Sequence, residues 1–257
     1  RIWVQVLSMN LTMIWLGSVA SLLAGLATGA GALPVLFTRK VSDKLLDVML
    51  GFSAGVMLAA TFFSLLVPAI DLGGIWVAVF GIMFGAITLH LVDRFIPHFH
   101  PALGAEGPSS RLSRVWLFAL AITIHNFPEG LAVGVSFGSR DVAAGLVVAT
   151  AIGLQNMPEG LAVALPLLRE GYSRRRSFWF GTLTGLVEPV GGILGVALVS
   201  FFHQILPWAL TFAAGAMLFV LSDEIIPESH RKGFEREATF GLITGFLVMM
   251  LLDCLFA

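Results

Sequence analysis

Long apolar runs alternate with short polar breaks along the whole chain. About 20 consecutive apolar residues suffice for a helix to cross a bilayer. Eight such runs can be read, at about residues 13–37, 47–70, 75–95, 115–138, 142–168, 178–202, 209–227 and 239–256. The pattern predicts an all-α membrane protein, one polytopic domain spanning residues 1–257. Residues 1–9 are expected to be a short cap or the end of a further helix, and with Arg1 in place of Met the natural N-terminus is expected to lie upstream. Residues 95–114, with Pro97, Pro101 and Pro108 among Ser and Gly, read as a flexible cytoplasmic loop whose His98 and His100 could bind metal on exit or be plain surface histidines.

Composition agrees. Hydrophobic residues make up 57% and charged residues 12%, where soluble domains carry about 25% charged; mean hydropathy is +0.92. The single cysteine, Cys254, excludes an internal disulfide and a thiolate metal cluster. A net charge of −1 singles out no partner, and no nucleic acid is expected.

The distribution of charge is more informative. Arg39, Lys40 and Lys44 lie in the first loop, and Arg94, Arg111 and Arg114 in or beside the third. Arg169, Arg174, Arg175 and Arg176 lie in the fifth, and Arg231, Lys232 and Arg236 in the seventh. The even loops hold only Arg140. Basic residues are retained in the cytoplasm, so the odd loops face inward and both termini outward.

The chain also echoes itself. Phe52-Ser53-Ala54-Gly55-Val56-Met57-Leu58 resembles Phe212-Ala213-Ala214-Gly215-Ala216-Met217-Leu218, and both lead to a proline, Pro68 and Pro227. On this topology the two stretches run in opposite directions. Inverted repeats are common in secondary transporters, and eight spans in a 3+2+3 arrangement follow; chance likeness of Gly/Ala-rich helices is the alternative. Glycines four apart, such as Gly51/Gly55 and Gly241/Gly245, suit close helix packing.

The chemistry centres on His125-Asn126-Phe127-Pro128-Glu129-Gly130, in the middle of the fourth apolar run. Strongly polar side chains at mid-bilayer cost about 2.5–3.5 kcal/mol on insertion scales. A partner charge, a bound cation or a wet path must compensate. At about 100° per residue, Glu129 falls between His125 and Asn126 around the helix. Pro128 frees the carbonyl of Ile124 and should bend the helix. A second copy, Gln155-Asn156-Met157-Pro158-Glu159-Gly160, occupies the fifth run. One His/Glu pair could be a packing hydrogen bond; a duplicated motif with proline in the same register argues for more. One imidazole with hard oxygen donors suits a divalent metal.

Glu188, before Pro189 in the sixth run, adds a third carboxylate. Three carboxylates near two dications are close to charge balance, which favours paired ions; the alternative is a protonated Glu188 capping a broken helix. Asp223 and Glu224, near Glu228 and His230, could receive departing ions or pair with Arg231 or Lys232. Asp47, Asp71, Asp93 and Asp253 stand near span ends, where carboxylates cost little. Among them Asp71, with Ser64 deeper on the same helix, is the candidate external collector.

These paired motifs resemble the ZIP (Zrt-/Irt-like protein) family of divalent metal transporters, most nearly its prokaryotic members with a binuclear centre. The resemblance implies one metal held by His125, Glu129, Gln155 and Glu159. It implies a second held by Asn126, Glu129, Asn156, Glu159 and Glu188. It also implies a homodimer, and spans one, four, five and six moving against two, three, seven and eight. Many members have histidine where this chain has Gln155, a weaker zinc ligand, so preference among Zn2+, Cd2+, Fe2+ and Mn2+ stays open. The expected function is Zn2+ transport into the cytoplasm by alternating access, across a bacterial inner membrane. The chain is not expected to be an enzyme. An intramembrane metalloprotease lacks its His-Glu-x-x-His here; a proton-coupled solute transporter using the His/Glu pairs as relays is the other alternative.

Overall fold

The structure, a computed structural model, describes residues 2–38, 40–100, 104–110 and 113–256. Among these, seven segments are long and apolar enough to cross a membrane: Leu7–Phe37, Asp43–Phe95, Trp116–Gly138, Val142–Arg169, Arg174–Phe201, His203–Ser229 and Glu235–Phe256. The count falls below the expected eight because runs 47–70 and 75–95 form one continuous segment of 53 residues. Straight, it would measure about 80 Å against a hydrocarbon core of about 30 Å. It is interrupted at Gly74, with φ 78° and ψ 171°. That left-handed backbone is open to glycine at little cost, having no Cβ to clash.

The elements are α1 (Ile2–Ala32), α2 (Pro34–Phe37), α3 (Asp43–Ala59), α4 (Val67–Phe95), α5 (Arg114–Gly138), α6 (Val142–Arg169), α7 (Arg174–Gly185), α8 (Glu188–Phe201), α9 (Leu206–Val220), α10 (Ile226–Ser229) and α11 (Glu235–Phe256). Two boundaries differ from the apolar pattern. The opening residues from Ile2 onward belong to α1 rather than forming a separate cap. The sixth run starts earlier, at Arg174, and is split at Leu186–Val187, ahead of Pro189, which supplies no N–H at the start of α8. Side-chain caps set other starts: Ser42 accepts from the Leu45 amide, Asp141 from Ala144 and Ser173 from Arg176. Within the loop 95–114, strand β1 (His98–His100) pairs antiparallel with β2 (Gly104–Glu106). Residues 101–103, 111 and 112 lie outside the described set.

Two stretches widen into π-helix, Ala60–Leu66 between α3 and α4 and Leu221–Ile225 between α9 and α10. Each leads to a proline, Pro68 or Pro227, whose ring and missing N–H disturb the preceding turn. The likeness between these halves goes further than the short echo. Ser64 and Glu224, Gly81 and Gly241, Gly85 and Gly245, and Asp93 and Asp253 keep the same separation as Phe52 and Phe212. Packing follows the same rule: α3 lies along α11, and its counterpart α9 lies along α4.

Around the polar motifs, α5 packs on α8 and α6 on α1, and α5 touches α6 directly. Small residues permit this closeness. A Cβ added at Gly130 would strike the carbonyl of Glu188, and one at Gly160 the carbonyl of Thr28. Apolar side chains such as Ala132, Val133, Ile152 and Leu167 fill the interior. Trp15, Trp76, Phe84, Phe240 and Leu255 stand exposed on the outside, a distribution natural for a surface solvated by lipid tails.

Candidate metal centre

The two proline motifs lie inside α5 and α6, with Pro128 and Pro158 in the helices rather than at their ends. The third contributor, Glu188, opens α8, beside the backbone of Gly130. All seven polar residues singled out for the centre are at most 1% exposed: His125, Asn126, Glu129, Gln155, Asn156, Glu159 and Glu188. Hydrocarbon packing alone would not gather them, since each unsatisfied polar group costs a few kcal/mol there.

Part of the set is linked across helices, while His125 and Asn126 make no hydrogen bond to the other five. The Gln155 amide donates to Glu129 Oε1 at 2.5 Å, joining α6 to α5. The Asn156 amide donates to Glu188 Oε1 at 2.6 Å and to the Ala24 carbonyl at 2.8 Å, joining α6 to α8 and α1. Ser53 of α3 donates to Glu159 Oε1 at 2.9 Å. These bonds use only part of the oxygen inventory. Glu129 Oε2, Gln155 Oε1, Asn156 Oδ1, Glu188 Oε2 and the Asn126 amide are buried without a hydrogen-bond partner. Such a set of hard oxygen acceptors has the chemistry to hold a dication.

Comparison with known proteins decides the family. A profile described as ZIP Zinc transporter matches residues 103–253. Zinc transporter GufA of Myxococcus xanthus is 48% identical over 248 residues, covering 92% of this chain and 97% of that protein. The chain belongs to the ZIP family. Zinc transporter ZIPB of Bordetella bronchiseptica is 45% identical, covering 88% of this chain and 77% of its own length. Human zinc transporter ZIP11 is 37% identical, covering 88% of this chain and 93% of its own length. With family and helices agreeing, this ZIP protein is an integral membrane protein.

The imidazole of this ZIP protein faces a second polar group. His125 Nε2 lies 2.8 Å from Glu224 Oε1, an ion-pair contact in which both side chains are at most 2% exposed. Asp93, His125 and Glu224 form a group of His/Asp/Glu donors all within 4.8 Å of one another. Glu224 is therefore inside the bundle and not an interfacial charge; Arg231 and Lys232 pair with Glu228 instead. Lys232 also reaches Asp47, itself buried. Asp93, which reads from the sequence as a span-end carboxylate, is buried in the bundle. The matched separations of Ser64/Glu224 and Asp93/Asp253 were the signal that could have found it.

The remaining candidates are scattered. Ser64 donates to Asp253 Oδ1 at 2.5 Å, between the π-helical stretch and α11. Asp71 is exposed, a short way before the Gly74 break. Asp223 is half-buried beside Glu224. His230 is engaged in closing α10, with Nδ1 3.0 Å from the Ile226 carbonyl and Nε2 3.2 Å from Thr239 Oγ1. His98 and His100 lie in β1 by their backbone, and their side chains fall outside the described set.

Proposed function

We propose that the chain carries Zn2+ into the cytoplasm by alternating access, through a binuclear site between α5, α6 and α8. One ion is held by His125, Glu129, Gln155 and Glu159, and its neighbour by Asn126, Glu129, Asn156, Glu159 and Glu188. Glu129 and Glu159 bridge the two. The observation that carries this reading is the set of buried, partnerless oxygens on Glu129, Gln155, Asn156, Glu188 and Asn126. Amide and carboxylate oxygens hold zinc less tightly than a thiolate or a full set of imidazoles would. That suits cargo, which must leave, and leaves room for Cd2+, Fe2+ or Mn2+. The names of the relatives, zinc transporters all, favour transport over peptide cleavage.

Asp93, His125 and Glu224 serve as the inner station, and Ser64, Asp253 and Asp71 as the outer approach. His125 belongs to both the centre and the inner station, so turning its ring passes the ion inward. Eight crossings in a 3+2+3 inverted repeat fit the Gly74 break, the paired π-helical stretches and the exchange of α3–α11 with α9–α4 packing. Both termini then lie outside a bacterial inner membrane, and the working unit is a homodimer in lipid. The test is uptake of radiolabelled zinc by proteoliposomes. Wild-type protein is expected to show saturable uptake, and Glu129→Ala to reduce it to background; undiminished uptake by that variant would overturn the reading.

A further inference from the structure

The hydroxyl of Ser53 is not part of the motifs, yet it touches the centre. Ser53 is fully buried on α3. Its Oγ lies 2.9 Å from Glu159 Oε1 and 3.1 Å from the Gln155 carbonyl. A hydroxyl has one proton. The carboxylate oxygen is the nearer acceptor, and the bond to it is charge-assisted once Glu159 is ionised, as a metal ligand must be. Serines within helices commonly bond back to their own preceding turn; this one reaches across to α6.

Its helix is closely packed. Gly51 and Gly55 lie against the backbone of Ala238 and Leu242 in α11. Residue 53 lies about 200° around the helix from residue 51, on the opposite face. The glycine face clamps α3 to one neighbour and thereby aims Ser53 at the other.

We propose that Ser53 is a positioning residue for zinc binding: its hydroxyl holds Oε1 of Glu159 and so sets the plane in which that carboxylate meets the cargo ion. The proposal rests on the transport reading for its site. It adds that part of the affinity resides on a helix that supplies no ligand to the centre. Outer partners of ligating groups typically change metal affinity by about 10–100-fold when removed. In Ser53→Ala the donor is lost with little change of volume, and Oε1 stays buried without that bond. Ser53→Thr keeps the hydroxyl and is the rescue variant.

Zinc uptake by proteoliposomes should show KM raised about tenfold in Ser53→Ala, with the maximal rate within about twofold of wild type. Ser53→Thr should stay within about threefold of the wild-type KM. An unchanged KM in Ser53→Ala, a loss of maximal rate alone, or equal weakening in both variants would each overturn the proposal. Zinc titration calorimetry on the same detergent-solubilised proteins separates this outcome from the fate of the transport reading. Wild-type protein that binds zinc but does not transport it defeats only the transport reading. Equal zinc affinity in wild type and Ser53→Ala defeats only the role of Ser53.

Discussion

Ser64 with Asp253, and Glu224 with Asp93, stand at matching positions in the two halves of the chain and have been furnished differently. The first pair is a half-buried hydroxyl donating to a carboxylate at 2.5 Å. The second joins two carboxylates with the imidazole of His125, all buried. A hydroxyl and one acid make a mildly attractive place that wets easily and costs little. Two acids in the interior must be protonated or stand beside positive charge, since burying an uncompensated carboxylate costs several kcal/mol. One backbone plan thus yields a half-buried hydroxyl–acid pair in one half and a fully buried cluster of two acids and an imidazole in the other. The difference is concentrated at one matched pair, serine in one half and glutamate in the other.

This contrast can be broken or sharpened by kinetics on zinc uptake. His125→Ala should have the largest effect, since it removes a donor from both the centre and the inner station; maximal rate is expected to fall roughly 100-fold, equivalent to about 3 kcal/mol. Retention of more than a tenth of the wild-type rate would show that the ring is not the shared element. Glu224→Gln should come next, with maximal rate lowered about tenfold and KM little changed, because departure rather than capture is slowed. Asp253→Asn is expected to do the reverse and raise KM about fivefold at a near-normal maximal rate. Should both variants alter the same parameter, the two sites would not differ in role. Asp71→Asn should have the smallest effect, a KM increase below about twofold that disappears in high salt, as expected for an exposed charge acting at a distance.

Ser53 and His125 sharpen a second contrast, between helices that carry the motifs and helices that support them. Ser53 on α3 and Glu224 beside α9 each hold a residue of the central motifs, Glu159 and His125 respectively. Neither belongs to a helix carrying a copy of the motif. In both cases a polar bond crosses between helices that the apolar pattern treats as independent.

The sequence alone determined what is local or periodic. Apolar runs imply bilayer crossings because the hydrocarbon core demands about 20 residues. The proline motifs stand out because proline and polar side chains are conspicuous within a single turn, and Pro128 and Pro158 do lie inside α5 and α6. His125, Glu129, Glu159 and Glu188 were legible as interior polar groups because they are conspicuous in an apolar setting, and all four are buried. The continuity of Asp43–Phe95 around Gly74 and the split between α7 and α8 were less so, since helix breaks are settled by neighbouring backbones as much as by composition. Only tertiary structure decided that Glu224 and Asp93 meet His125 and that Ser53 meets Glu159. Distance along the chain carries no information about those meetings. They arise from which glycine faces let two helices approach, and at what angle and depth, and in lipid no hydrophobic force between helices marks that choice in the polarity of the chain.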